Sequence, residues 1–176
     1  MSTAKPEPCP GCGAPLPPHD GPTHRYIGAS PACWALFTAL SSGGEPPVAP
    51  TPALALLTDA YAAQHPGTPS PQAIQSVAIH LLTLHGVLAR RVAPENALWV
   101  RRRALREHVR PRHSQFTWLA PPPPDGWTTV ADIVREPTPQ ARAARVGRYA
   151  TEVLDRWWRA HGPTIAAWYD AYVVAE

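Results

Sequence analysis

The sequence has few of the features that define secreted and membrane proteins. Its three cysteines are an odd number in a chain of 176 residues, which argues against a disulfide framework and favours metal or redox chemistry. No apolar run reaches the roughly 18 residues that a membrane span needs. The N-terminus carries Pro6, Cys9 and Pro10 where a secretion signal has an apolar core. We therefore expect a soluble cytoplasmic protein.

Strand signals are almost absent, whereas helix starts recur. A Ser or Thr followed by Pro occurs at 51–52, 70–71 and 138–139. In such a pair the first residue caps a helix and the proline occupies its first turn. The length suits one ordinary domain and is too short for two. The fold is predicted to be all-α, a compact helical bundle with a loop-rich N-terminal zinc-knuckle arm. It forms a single domain over 1–176, with the metal-binding arm at 1–33 and the bundle at 34–176.

The predicted helices alternate with Pro- and Gly-rich connections. Residues 41–50 are a linker, and residues 116–127 lack a helical period and are expected to lie on the core as an extended arm. Gly162-Pro163 is expected to break the long C-terminal helix. The helices are predicted at 34–40, 52–64, 71–91, 94–109, within 128–135, 138–161 and from 163 to about 174.

The stretch from Cys9 to Gly13 reads Cys-Pro-Gly-Cys-Gly and is typical of a zinc knuckle. Thiolates three positions apart can reach one metal ion, and Gly13 lets the backbone bend back beneath them. Because Cys9 and Cys12 supply only half of a tetrahedral site, two further ligands are expected downstream. A thioredoxin-like redox motif also has this spacing, but its strand–turn–helix context is missing.

Cys33 and His24 are the expected remaining ligands. Cys33 stands at the start of a predicted helix, where the helix dipole favours a thiolate. His24 is preferred to His19 because residues 21–23, Gly-Pro-Thr, form a turn that can deliver it. The prediction is a Cys₃His zinc site that holds the arm against the first helix, so that binding energy becomes folding energy. The alternative for Cys33 is a buried structural thiol.

Two histidines of the next helices are further candidates. His65 continues the apolar stripe of its helix, and His80 flanks the buried face of the following one. They can be core histidines with satisfied hydrogen bonds. They can also form a metal or acid–base site with a third group such as His24 or Asp59. The candidate catalytic residues are His65, His80, Asp59 and Gln64, and a small-molecule ligand is expected beside His65 and His80.

Eight arginines lie within the 23 positions from Arg90 to Arg112. Such a basic face can contact phosphates, and Trp99 could stack on a base. The alternative is a solvated helix face whose arginine stems cover apolar surface. The modest net charge of +3 and the lack of a nucleic-acid-binding motif favour the second interpretation.

Several motifs together resemble an uncharacterised family of small bacterial proteins of unknown function, common in high-GC bacteria. The motifs are the Cys9 knuckle, Gly-Pro-Thr-His ending at 24, Ser-Pro-Ala-Cys-Trp at 30–34, Asp-Ala-Tyr-Ala-Ala-Gln-His-Pro-Gly at 59–67 and Gln-Ser-Val-Ala-Ile-His-Leu at 75–81. The resemblance extends to residues 129–132. It implies no activity, but it implies that the following positions belong to one pattern: Cys9, Cys12, His24, Cys33, Asp59, Gln64, His65 and His80. His85 is not part of it.

These observations favour a small cytoplasmic protein in which zinc fastens the N-terminal arm to the helical bundle. Two other functions stay open. One is a metal-dependent enzyme in which His24, His65 and His80 bind the metal and Asp59 or Gln64 orients a ligand. The other is an arginine-mediated module that binds nucleic acid or an acidic partner.

Overall fold

The computed structural model describes residues 5–42, 53–108 and 115–175. Within these residues the chain forms six α-helices and one antiparallel sheet of two very short strands, so the predicted all-α class is confirmed. The elements in chain order are β1 Glu7–Pro8, β2 Pro15–Leu16, α1 Pro31–Ser41, α2 Ala53–Gln64, α3 Pro71–Leu84, α4 Ala97–His108, α5 Val130–Val134 and α6 Pro139–Tyr169.

Three helices begin at a Ser-Pro or Thr-Pro pair. The side chains of Ser30, Ser70 and Thr138 each accept a hydrogen bond from the backbone N–H three residues later, and proline follows each cap. The predicted starts at 70–71 and 138–139 are confirmed. The third predicted start, at 51–52, lies outside the described residues. The first helix begins at Pro31, three residues earlier than predicted.

The predicted helix break at Gly162-Pro163 is wrong, because α6 runs through both residues to Tyr169. An interior proline removes one helix hydrogen bond and costs roughly 3 kcal/mol. The helix continues because side chains before and after the proline pack in the core: Trp157 and Ile165 are both fully buried. Gly162 also allows a close approach, because a Cβ there would lie 2.9 Å from Cε2 of Trp158.

Helix α2 lies at the centre of the bundle, packed between α3 and α6. Two side chains of α6 hydrogen-bond to its end: Trp157 donates its indole N–H to the Ala63 carbonyl, and Tyr149 donates its hydroxyl to Gln64. Eight of its twelve residues are buried. More of the α2 surface is therefore buried than the single apolar stripe in its sequence predicts.

The ends of α3 and α6 each widen into a π-helical turn, at His85–Ala89 and Asp170–Val174. The combined helix Pro71–Ala89 is long and apolar enough to cross a membrane by length and composition, contrary to the expectation that no apolar run reaches that length. Its most apolar stretch is 56% buried within the fold. Contacts with α2, α4 and α6 account for its apolar composition.

The segment from Phe116 to Trp127 has no regular secondary structure, as predicted. It lies on the core through Phe116, Leu119 and Trp127, all of which are buried. At its end the Thr128 carbonyl accepts a hydrogen bond from the side-chain amide of Gln64. The segment is therefore fastened to the end of α2, close in sequence to His65.

Candidate metal centre

Four buried side chains from three separate segments meet at one point. The Sγ atoms of Cys9, Cys12 and Cys33 and a ring nitrogen of His65 all lie within 4.8 Å of one another. Each residue is at most 2% exposed. Three of the four are ligands predicted from the sequence, and the fourth is a different histidine.

The knuckle turn presents the first two thiols. The Cys9 N–H donates to the Ala14 carbonyl and the Gly13 N–H donates to the Cys9 carbonyl, which closes a tight turn between β1 and β2. Gly13 has φ of +73°, a backbone conformation that glycine adopts at little cost. This geometry turns both sulfur atoms toward the same point.

The start of α1 brings the third thiol and a contact to the first. The Ser30 side chain caps the helix by accepting from the Cys33 N–H at 3.3 Å, and the Ser30 N–H points at Cys9 Sγ at 3.4 Å. Cys33 thus lies in the first turn of α1, where the helix dipole stabilises a thiolate. Ser30 links the knuckle to the helix that carries the third ligand.

The imidazole of His65 is oriented by its own helix. Its Nδ1 lies 2.8 Å from the Tyr61 carbonyl oxygen, which can only accept, so Nδ1 carries the proton. In the neutral ring Nε2 is then the acceptor nitrogen, and it faces Cys33 Sγ at 3.4 Å. A backbone carbonyl that holds the second ring nitrogen is the usual support of a metal-ligating histidine.

Small residues allow the arm to reach the histidine. A Cβ at Gly11 would lie 2.4 Å from Cδ2 of His65, so the knuckle passes directly over the ring. Farther along the arm, the Gly28 N–H donates to the His65 carbonyl at 3.0 Å. A Cβ at Gly28 would lie 2.8 Å from the backbone of Gly67. The arm therefore packs against the end of α2 at backbone distance.

Two distances between candidate ligand atoms can be compared with those of tetrahedral metal coordination. With Zn–S bonds of about 2.3 Å and Zn–N bonds of about 2.0–2.1 Å, tetrahedral angles place two sulfurs about 3.8 Å apart and a sulfur and a nitrogen about 3.5 Å apart. The Cys12 and Cys33 sulfurs are 3.9 Å apart, and Cys33 Sγ lies 3.4 Å from His65 Nε2. These two distances match the tetrahedral values, and all four ligand atoms lie within 4.8 Å of one another.

Crowding the thiols together separates their pKa values. Hydrogen bonds with Cys12 and Cys33 hold the pKa of Cys9 far below its usual value. The hydrogen bond with Cys33 lowers the pKa of Cys12, but the hydrogen bond with Cys9 and burial outweigh it and raise that pKa to about 12. Hydrogen bonds with Cys12 and Cys9, with burial, raise the pKa of Cys33 well above normal. Without a metal ion, the cluster therefore holds one thiolate and two thiols. Further deprotonation needs a cation that compensates the added negative charge.

His24, the ligand expected from the sequence, is not part of this cluster. Its ring packs edge-on against Tyr26 and at a tilt against Trp34, with centroid distances of 4.4 and 5.1 Å. The inward orientation of His65 was visible in the sequence. What the sequence did not show is that the arm docks onto the end of α2, which places His65 beside the thiols.

The structure does not bring His65 and His80 into one site. Both ring nitrogens of His65 are engaged, whereas His80 Nδ1 lies 2.6 Å from a carboxylate oxygen of Asp59. Gln64 donates to the Thr128 carbonyl and accepts from Tyr149, so its amide has a structural role. Within the described ranges 5–42, 53–108 and 115–175, no second cluster of three or more His, Cys, Asp or Glu groups could hold a metal.

Two arginines of α4 depart from the expected solvated face. Arg101 donates to Asp59 at 2.6 Å, and Asp59 is fully buried. Arg103 donates to the backbone carbonyls of Val173 and Ala175. Arg102 and Arg106 of the same helix are exposed, as expected. The arginine-rich segment is thus partly a set of structural contacts.

Comparison with known proteins gives a family and nothing more specific. A family of unknown function, DUF5946, matches residues 7–158, which include all four residues of the cluster. No curated protein and no solved structure matches the sequence. Because the match covers most of the chain, the protein belongs to the DUF5946 family.

Proposed function

We propose that this is a zinc protein in which Cys9, Cys12, Cys33 and His65 hold one structural Zn²⁺. The convergence of three thiols and a correctly oriented imidazole within 4.8 Å carries the proposal. Sulfur and imidazole ligands in a tetrahedral arrangement suit zinc better than the hard cations Mg²⁺ and Ca²⁺. Four protein ligands, all buried, leave no coordination position for a substrate. This supports a structural role over a catalytic one.

The metal would fasten the N-terminal arm to the helices. Cys9 and Cys12 lie on the arm, Cys33 lies in the first turn of α1, and His65 follows the last residue of α2. The arm has few buried apolar side chains besides Ala14, Leu16 and Ala29. Zinc-finger peptides gain about 10–16 kcal/mol of apparent binding energy, enough to order a segment without its own core. Zinc would supply this energy here.

Metal analysis of the purified protein tests the proposal. We expect one zinc per chain, and Cys12→Ser should lower its retention during dialysis against a chelator. His80→Gln is the matched control, because His80 lies outside the cluster. Substitution with Co²⁺ should give the intense visible absorption of a tetrahedral thiolate site, weakened in the serine variant.

Two results would contradict the proposal. One is metal-free protein whose helicity and melting temperature do not change when zinc is added. The other is full zinc retention in Cys12→Ser with loss in His80→Gln, which would place the metal elsewhere. The cytoplasmic location expected from the sequence stays a prediction.

A further inference from the structure

A buried carboxylate holds the imidazole of His80 in one orientation. Nδ1 of His80, on α3, lies 2.6 Å from Oδ1 of Asp59, which is fully buried on α2. An ionised carboxylate can only accept a hydrogen bond, so Nδ1 carries the proton. In the neutral ring Nε2 is then an acceptor, and it has no hydrogen-bond partner among the residues that the structure describes. The pair therefore presents an unused acceptor nitrogen in a fixed position.

His80 lines a groove between α3 and α4 that favours neither sign of charge. The groove has a volume of about 190 Å³ and includes Arg101 of α4 in its wall. Arg101 donates to the same Oδ1 of Asp59 at 2.6 Å, so the buried carboxylate compensates its charge. None of the residues that line the groove is acidic. Because an ionic ligand without an opposite charge is costly to desolvate, this groove suits a neutral ligand.

An aromatic groove continues from the first one and shares Tyr26, Ser76 and His80 with it. It has a volume of about 140 Å³, and the rings of Trp34 and Phe37, with centroids 5.4 Å apart, form part of its wall. An apolar cavity of about 150 Å³ in another protein accommodates benzene. The aromatic groove is therefore of the right size for one six-membered ring.

We propose that the two grooves form a binding site for a phenol. The ring packs against Trp34 and Phe37, and the hydroxyl group donates a hydrogen bond to Nε2 of His80. A phenol meets both requirements, because it combines an apolar ring with one donor and, with a pKa of about 10, is neutral near pH 7. Asp59 acts as a positioning residue, since it fixes the protonated nitrogen of His80 without lining either groove. The site uses none of the four residues of the metal cluster, so it stands independently of the zinc.

Titration of the full-length protein, followed by two-dimensional NMR, tests this site and locates the ligand. Phenol and fluorobenzene are the probes, because they are of nearly equal size and only phenol carries a donor. We expect saturable phenol binding with a Kd of about 1 mM or tighter. Fluorobenzene should bind about fivefold more weakly, which is the contribution of one net hydrogen bond. The largest chemical-shift changes should fall on Trp34, Ser76 and His80.

His80→Phe removes the acceptor nitrogen and keeps an aromatic ring. Arg101 still compensates Asp59 in this variant. The phenol affinity should fall about fivefold, to that of fluorobenzene, while the fluorobenzene affinity stays within about twofold of its original value. The ratio of the two affinities therefore isolates the hydrogen bond from any general effect of the substitution on the groove.

Ser76→Leu tests the position of the site without changing His80. The larger side chain should fill the junction of the two grooves and reduce the affinity for both probes at least about tenfold. Leucine is a good helix former, so α3 should remain intact. Thr151→Leu is the matched control, because it places leucine at an exposed position of α6 that lines neither groove. It should leave both affinities unchanged.

Four outcomes would overturn the proposal. The first is no saturable phenol binding up to about 10 mM. The second is equal affinity of the unsubstituted protein for phenol and fluorobenzene, which would show that no acceptor is used. The third is an unchanged ratio of the two affinities in His80→Phe. The fourth is an equal loss of affinity in Ser76→Leu and Thr151→Leu.

Discussion

The Nε2 atom of His65 lies 3.4 Å from the Sγ atom of Cys33, although 32 positions separate the two residues in sequence. The contact joins the end of α2 to the first turn of α1. The Tyr61 carbonyl fixes the ring by accepting from Nδ1, so the last turn of α2 determines which nitrogen faces the sulfur. Helix α2 therefore both forms the centre of the bundle and orients the candidate fourth ligand.

Replacing His65 should weaken zinc binding, whereas replacing His24 should not. Loss of a hydrogen-bond partner to a metal ligand typically costs 10- to 100-fold in affinity, and we expect loss of the ligand itself in His65→Ala to cost at least about that much. His24→Ala is the control, because its ring packs on Tyr26 and Trp34 outside the cluster. Competition with a chromophoric chelator measures both affinities. Equal losses in the two variants would contradict the assignment of His65.

Zinc binding should release about two protons, because the pKa values of Cys12 and Cys33 are raised and that of Cys9 is lowered. Cys9 is already a thiolate at neutral pH, while the other two thiols must lose their protons to bind zinc. The affinity should therefore rise by about 100-fold per pH unit near neutrality and fall as acid restores the protons. Titrations in buffers of different ionisation enthalpy count the protons. A pH-independent affinity would disprove this charge distribution.

Local signals in the sequence predicted much of the fold. Cap residues followed by proline located the starts of α3 and α6, and the knuckle spacing paired Cys9 with Cys12. The break at Pro163 was predicted wrongly, because a local rule could not register the burial of Trp157 and Ile165 on either side of it.

The candidate site was less predictable because it depends on contacts between distant segments. The Gly28 N–H bonds to the His65 carbonyl, and this docking selects His65 over His24 as the imidazole beside the thiols. Likewise, the pairing of Arg101 with Asp59 across 42 positions is invisible to helical periodicity. The spacing of residues within one segment predicts a knuckle. The side chains that pair with it from distant segments are set by how the arm and the helices pack.

Arg101→Gln should destabilise the protein, in contrast to the expectation for a solvated arginine face. Breaking a fully buried ion pair costs about 3–5 kcal/mol. Because the Arg101 side chain is 24% exposed and His80 still contacts Asp59, we expect about 2 kcal/mol of lost unfolding free energy. Urea denaturation measures the loss, with exposed Arg102→Gln as the control. A loss of similar size in both variants would show that general charge effects are responsible.

Tyr149→Phe should cost about 1–2 kcal/mol of unfolding free energy, because it leaves the buried Gln64 oxygen without its hydroxyl donor. The hydrogen bond between Tyr149 and Gln64 links α6 to α2 beside His65, and neither residue is a candidate metal ligand. Zinc content should therefore stay at one per chain while stability falls. Tyr26→Phe, at a position that is 36% exposed, is the control for removing a hydroxyl. Unchanged stability in Tyr149→Phe would show that the hydrogen bond between Tyr149 and Gln64 contributes nothing to holding α6 against α2.

Gly11→Ala should weaken zinc binding through a steric effect on His65. The new Cβ would lie 2.4 Å from Cδ2 of the His65 ring and 2.7 Å from the Gly28 carbonyl oxygen, so either the knuckle or the ring must move. A shift of the ring moves Nε2 away from the sulfurs. We expect a zinc affinity reduced at least about tenfold, comparable to losing a ligand's orienting contact.

Gly147→Ala supplies the matched control for that substitution. A Cβ at Gly147 meets no atom within 4 Å, and the residue lies inside α6. Alanine should therefore stabilise the helix by about 0.5–1 kcal/mol and leave zinc affinity unchanged. Chelator competition on both variants measures zinc affinity, which should fall only in Gly11→Ala, and thermal unfolding measures the stabilisation expected in Gly147→Ala. Undiminished zinc affinity in Gly11→Ala would mean that the knuckle does not pack on the His65 ring. It would therefore contradict the position of the arm against the end of α2.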